Sequence, residues 1–145
     1  MASTHDYIND NRNEDIHIYI NGSFFHRSEA KISVFDSGFL LGDGVWEGMR
    51  LHNNKLIHFN THIDRLYDGA SSIAMEIHLT KKEMKAAVLE TLKKNNMISD
   101  THIRLIVSRG LKSTPYQHPK VTVSDPTIVI IPESVSYTHL RAHET

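Results

Sequence analysis

The sequence predicts an α+β fold, a small antiparallel sheet carrying two helices, and three observations predict it. Alternating apolar and polar runs fill the chain before position 60 and after position 101, whereas the stretch between repeats its apolar residues at helical spacing. Asn21-Gly22 and Asn53-Asn54 place tight-turn residues between alternating runs, as hairpins require. The chain has 145 residues, about one domain, and a chain of that size buries roughly 68–70% of its unfolded surface.

The elements follow in order. Residues 1–15, rich in Asn and Asp, are expected to form a mobile tail, with the folded domain running over 16–133. Ile16 to Ile20 alternates, Asn21-Gly22 turns it back, and Phe24-Phe25 begins the return strand. Ala30 to Phe35 alternates as well and reads as a third strand, broken by Asp36-Ser37-Gly38. In Phe39 to Arg50, two glycines (Gly42, Gly44) mark a turn, and Val45, Trp46, Met49 and Leu51 read as strand. Asn53-Asn54 and Lys55 to Phe59 complete an antiparallel meander.

Asn60 or Thr61 is the expected N-cap of the first helix, whose apolar face is Ile63, Leu66, Tyr67, Ala70 and Ile73. Thr80 with Glu83 forms a capping box for the second, which buries Met84, Ala87, Val88 and Leu92 and exposes its lysines. Beyond it, His102 to Ser108 is a strand, Arg109-Gly110 opens a loop through Pro115 and Pro119, and Val121 to Val123 reads as a short strand. Thr127 to Ile131 is a buried strand ending at Pro132-Glu133. Residues 134–145 carry no periodicity and resemble translated sequencing-adapter read-through, so a non-native tail is expected there.

Composition narrows the function classes. Net charge is −1 with acids and bases interspersed, so no basic face tracks a phosphate backbone and no nucleic acid is expected as partner. With no cysteine, disulfides, thiolate metal sites and a cysteine nucleophile are excluded, which suits a reducing, cytoplasmic location. No apolar run approaches the ~20 residues that span a bilayer, so no membrane is expected. The first fifteen residues lack the apolar core of a signal peptide. Among eleven histidines, His58 and His62 straddle a helix start, and His139 and His143 lie in the suspect tail. Neither pair has a third ligand at zinc-like spacing, so no metal is expected.

Four residues stand out chemically. Arg65 falls in the first turn of the expected helix, where unpaired amides and the macrodipole favour an anion, and its guanidinium adds donors matched to a phosphate; a surface arginine is the plainer reading. Glu47 is an acid in a half-buried strand, either a general acid or base or a partner for Arg50 or Arg104 across the sheet. Trp46, the only tryptophan, reads by itself as core. Arg104 alternates with Ile103 and Leu105 and faces opposite to them.

The ordered set Ile18 to Gly22, Ala30 to Asp36, Gly42 to Arg50, His62-Ile63-Asp64-Arg65-Leu66, His102-Ile103-Arg104 and Arg109-Gly110 resembles the amino-terminal small domain of the class IV aminotransferases. These are the fold type IV enzymes of pyridoxal 5′-phosphate, and they include branched-chain and D-amino acid aminotransferases, aminodeoxychorismate lyase and (R)-selective amine transaminases. The resemblance implies that Arg65 holds the cofactor phosphate. It implies that Trp46, Glu47 and Gly48 form a pocket wall, and that Arg104 and His118 line the substrate side. Tyr116 stands where D-amino acid enzymes carry an arginine, and Gly48-Met49-Arg50 leans towards the branched-chain group. The substrates implied are an amino acid, branched-chain-like, and 2-oxoglutarate, in a homodimer. The family's Schiff-base lysine lies in a large domain beyond about Glu133, and none of the nine lysines here matches it. A truncated, inactive chain is therefore expected. A lyase of aminodeoxychorismate and a binding module without catalysis are the alternative readings.

Overall fold

A computed structural model of the chain describes residues 9–136. Its architecture is α+β. The strands are β1 (His17–Ile20), β2 (Ser23–His26), β3 (Gly44–His52), β4 (Lys55–Ile57), β5 (Thr101–Ser108) and β6 (Thr127–Ser134). The helices are α1 (Ser37–Leu41), α2 (Phe59–Ser72) and α3 (Lys81–Lys94). One sheet holds all six strands in the order β2-β1-β6-β5-β3-β4, every pairing antiparallel.

β5 is the centre of this sheet, hydrogen-bonded along its length to β3 on one side and β6 on the other. Its alternation decides what lies on each face. Ile103, Leu105 and Val107 are each 0% exposed beneath the helices, and His102, Arg104 and Ile106 point the opposite way. In β3 the same period puts Glu47, Met49 and Leu51 on the helix-covered face and Trp46, Gly48 and Arg50 on the other. A slip of one residue would exchange the two sets, so burial of the apolar set fixes the register.

The helices bury most of the stripes that the spacing predicts, except that Tyr67 is partly buried and Ile73 caps the end of α2 and is exposed. α2 sinks Ile63, Leu66 and Ala70, α3 sinks Met84, Ala87, Val88 and Leu92, and the Thr80–Glu83 capping box forms in both directions. Asn95 fastens the end of α3 to β1, its Oδ1 accepting from His17 N at 2.7 Å and its Nδ2 donating to His17 O at 2.9 Å. Both hairpin turns carry positive φ at their two central residues (Asn21-Gly22 and Asn53-Asn54), the backbone twist that two-residue loops favour.

Four expectations are corrected. The sheet is not a meander, because β6 inserts between β1 and β5. Ala30 to Phe35 forms no strand: β1 is paired on both sides, to β2 and β6, the segment does not pair with the outer edge of β2, and Ile32 and Val34 stay exposed. α2 starts at Phe59, with His58 at its N-cap rather than Asn60 or Thr61. Burial of Phe59 draws the start back, and His58, at φ +52°, makes the sharp turn out of β4 without a side-chain cap. Residues 119–121 form a 3-10 turn, as Pro119 fixes φ and lacks an N–H, and Thr122 makes a single bridge to Lys112.

Residues 37–41, between the expected strand break at Asp36-Ser37-Gly38 and the glycine turn, wind into the short helix α1, with Asp36 capping Gly38 N and Gly42 closing it at φ +65°. Within the presumed tail, residues 11–13 form a 3-10 turn. Asn13 clamps the end of β6 through two bonds to the Ser134 backbone, so mobility does not extend to this part of 1–15. Of 134–145, Ser134 is the last residue of β6, and residues 137–145, including His139 and His143, lie outside the described residues. No helix among the described residues is long and apolar enough to cross a membrane.

Leu105→Ala should lower unfolding free energy by about 2–5 kcal/mol in a urea titration, the usual cost of emptying a buried leucine site. Val123→Ala, at a residue 63% exposed, should cost under about 0.5 kcal/mol. Equal losses would mean that the helix-covered face is not the core.

Candidate functional site

Glu47 is the acid that the register of β3 forces among apolar neighbours. Its carboxylate is taken by two side chains of α2. Arg65 donates from Nε to Oε1 and from Nη2 to Oε2, both at 2.8 Å, and His62 Nδ1 lies 2.8 Å from Oε2. His62 and Arg65 are three apart and share the helix flank beside the Ile63–Leu66 stripe, so docking that stripe on the sheet delivers both to Glu47. An ionised carboxylate only accepts, so His62 presents Nδ1–H to it and turns Nε2 outward. The Arg65 hydrogen bonds hold the Glu47 carboxyl below the usual glutamate range, His62 adds to this, and burial opposes it. The same contact raises the Arg65 guanidinium above its ordinary value.

The three members differ in access. The Glu47 side chain is 8% exposed, that of His62 22%, and that of Arg65 67%. A buried acid therefore fixes one edge of a guanidinium whose other N–H groups face out. Arg65 is the seventh residue of α2, so it is not in the first turn as the sequence reading had it. The unpaired amides at the helix start lie elsewhere, and the anion-binding case rests on the guanidinium.

The opposite face carries a different set. Arg104 stacks on Trp46, with its guanidinium carbon 4.2 Å from the ring centroid. Gly48 sits opposite Arg104 in the β3–β5 ladder, and a Cβ there would stand 3.0 Å from His102 Nε2. Trp46 is 60% exposed, so the core reading of this tryptophan is overturned. It edges a concavity of about 500 Å³ whose apolar walls include Phe39, Ile106 and Val129. At its polar end Asp36, 3% exposed, accepts from Gly38 N at 2.8 Å and from Ser108 Oγ at 2.9 Å. A larger concavity, about 630 Å³, lies against α3 and touches none of these residues.

A clasp joins the turn before β3 to the end of α2. Arg109 donates from Nε to Asp43 Oδ2 at 2.6 Å, from Nη2 to Ile73 O at 2.6 Å and from Nη1 to Ala74 O at 3.1 Å. Gly44 begins β3 where a Cβ would stand 2.7 Å from Val107 O, so only glycine permits the close approach of β3 to β5 there.

With this geometry in place, the likeness to known proteins is specific. The family model described as Amino-transferase class IV matches residues 44–144. The chain belongs to the class IV aminotransferases. It is 52% identical over 94 residues to a Methanocaldococcus jannaschii protein named as a candidate branched-chain-amino-acid aminotransferase, covering 65% of this chain and 32% of that one. It is 38% identical over 101 residues to a D-alanine aminotransferase of Listeria monocytogenes, covering 70% and 34%. A branched-chain aminotransferase structure from Thermoproteus uzoniensis, with norvaline, superposes at a TM-score of 0.70 and 25% identity, covering 84% of this chain and 41% of that chain. The chain thus spans about a third of the length of the first two relatives.

In this class IV aminotransferase chain, the six residues singled out from the sequence fall into three places. Glu47 and Arg65 meet on the helix side, whereas Trp46, Gly48 and Arg104 cluster on the open face. His118 lies apart in an exposed loop, where its Nδ1 accepts from Lys120 N at 3.1 Å. No hydrogen bond, ion pair or ring contact among the described residues joins His118 to the other five. Glu47 pairs with neither Arg50 nor Arg104, because it faces the helices and they face away. His62, Asp36 and Arg109 stood within the ordered motifs, and Ser108 ended a strand, but none was given a role in the site. Only His62 had a signal, its three-residue spacing from Arg65. No group of three or more His, Asp or Glu among the described residues is placed to hold a metal ion.

Glu47 gives a pH dependence with a definite sign. Its carboxyl is held low in the fold, so the ionised pair stabilises above the ordinary glutamate value near about 4.3 and loses that contribution as pH falls through the depressed value. Glu47→Gln should therefore cost about 1 kcal/mol at pH 7, a figure discounted for the exposed arginine. The gap to wild type should shrink as pH falls through the depressed Glu47 value. Urea melts of both proteins at several pH values measure it, and a gap that stays constant with pH would contradict the ionised pair.

Proposed function

We propose that this chain forms the small domain of a pyridoxal 5′-phosphate-dependent aminotransferase that moves the amino group of a branched-chain-type amino acid to 2-oxoglutarate. One observation carries the reading: a guanidinium with two N–H groups fixed by a buried carboxylate and three turned to solvent. That is a preset phosphate clamp. Pre-orientation by Glu47 and His62 removes side-chain entropy that a free arginine would lose on binding an anion, and the free edge suits phosphate oxygens. The cofactor, when bound, supplies the electron sink that lets an α-proton leave.

The roles of the other residues follow from their faces. Trp46 offers a flat apolar wall, and Arg104, stacked on it, keeps its outer donors for a substrate carboxylate. Gly48 lets the His102 ring, whose Nε2 would stand 3.0 Å from a Cβ there, lie over the β3 backbone beside Arg104. His118 would join the site only by movement of its loop or in a dimer of the parent protein, which we take to be cytoplasmic. Glu47 serves the arginine rather than the substrate, and so acts as a positioning residue.

The covalent partner of the cofactor is assigned to sequence outside this chain. The lysines of α3 are exposed, as are Lys31, Lys55 and Lys120. Lys112 is buried at 3% exposure, yet its Nζ is spent on Thr122 Oγ1, 3.1 Å away in its own loop. The chain alone is accordingly expected to be inactive.

In the complete gene product, Arg65→Ala should weaken pyridoxal phosphate binding about ten- to hundredfold by absorbance titration, the loss expected for hydrogen bonds to a charged group. Wild-type enzyme should transaminate leucine with 2-oxoglutarate faster than it uses D-alanine or cleaves aminodeoxychorismate. Unchanged cofactor affinity would remove the phosphate role of Arg65. Absence of transfer to 2-oxoglutarate would remove the reaction.

A further inference from the structure

We propose that the groove between α3 and the β3–β4 hairpin is a binding site for a small carboxylate with a hydrocarbon tail, separate from the residues above. This does not rest on the aminotransferase reading.

The groove has the make-up such a ligand needs. One wall is a single row of α3, Lys85, Leu89 and Lys93, spaced four apart so that they stand one above another. The facing wall is the hairpin residue Lys55 with Leu56. Leu51, Phe59 and Leu92 form the floor, all buried, and Ile98 closes one end, tied to the hairpin by Asn54 N donating to Ile98 O at 2.6 Å. The groove, half open to solvent, holds about 630 Å³, within the roughly 300–1,000 Å³ typical of small-molecule sites.

Two features mark the groove. Leu89 and Ile98 are 47% and 71% exposed, although the residues around them pack normally. Three ammonium groups ring the apolar floor, and none has a carboxylate partner among the described residues; Lys85 lies over the Phe59 ring, 5.5 Å from its centroid. Lysine stems lying along apolar surface with their heads at the rim leave a floor that takes hydrocarbon and an edge that takes an anion. A small inorganic anion would leave the apolar floor unused and a neutral lipid would leave the ammonium groups unused, so the chemistry that uses both parts is a hydrocarbon chain with an anionic head, the simplest being an apolar monocarboxylate. A tail of about six to ten carbons fits a space of this size.

The test is titration of the full ¹⁵N-labelled chain with decanoate, beside decanol and an acidic amphipathic peptide. The expected result is saturable binding of decanoate, with amide shifts at Leu56, Leu89 and Ile98 but not at Trp46. Decanol should bind at least about tenfold more weakly, as should decanoate to the Lys85→Gln, Lys93→Gln double variant. Leu89→Asp, at an exposed position that leaves the fold intact, should abolish binding by placing a like charge on the floor. Overturning results are no saturation into the millimolar range, equal binding of decanol, shifts centred on Trp46, or binding of the peptide alone, which would make the groove a protein-docking site.

Discussion

The placement of one buried carboxylate governs the rest of the site. Glu47 stands in a row of core residues because β3 is locked to β5 by the burial of Met49, Leu51, Ile103 and Leu105. An acid there is costly unless paired. α2 solves this by bringing Arg65 and His62 to the same edge as its apolar stripe. The ion pair and the helix packing are thus mutually dependent, and the orientation of the arginine is a product of the core as much as of its own helix.

The same register divides functions between faces. Residues adjacent in sequence, Trp46 and Glu47, end on opposite sides of the sheet. Trp46 belongs to an exposed apolar surface with Arg104, and Glu47 to a charged cluster at the helix flank. A wall of consecutive residues, as read from the sequence, is not possible in a strand of period 2. Asp43 and Arg109 fix the beginning of β3 against the end of α2, so both faces are held from one anchored turn.

Much of the fold was legible because it depends on local rules. Both hairpin turns, the α3 capping box and the stripes of α2 and α3 stood in the residues themselves. The α2 start was missed because Phe59 is drawn into the core by tertiary contact, which outweighs the capping preference of Asn60 or Thr61. The absent strand over 30–35 has the right alternation but pairs with no neighbour, and pairing is a property of topology. At the site, Arg65 and Arg104 were visible through family order. The bond of Glu47 to His62 and Arg65 was not, since it links positions fifteen and eighteen residues apart.

The central claim is that Glu47 acts on the cofactor only through Arg65. A double-mutant cycle on pyridoxal phosphate affinity in the complete enzyme, using Glu47→Gln and Arg65→Ala, tests this most directly. The account predicts that Glu47→Gln weakens binding when Arg65 is present and has no further effect once Arg65 is alanine. Losses that simply add would contradict it, showing that Glu47 meets the ligand independently of Arg65.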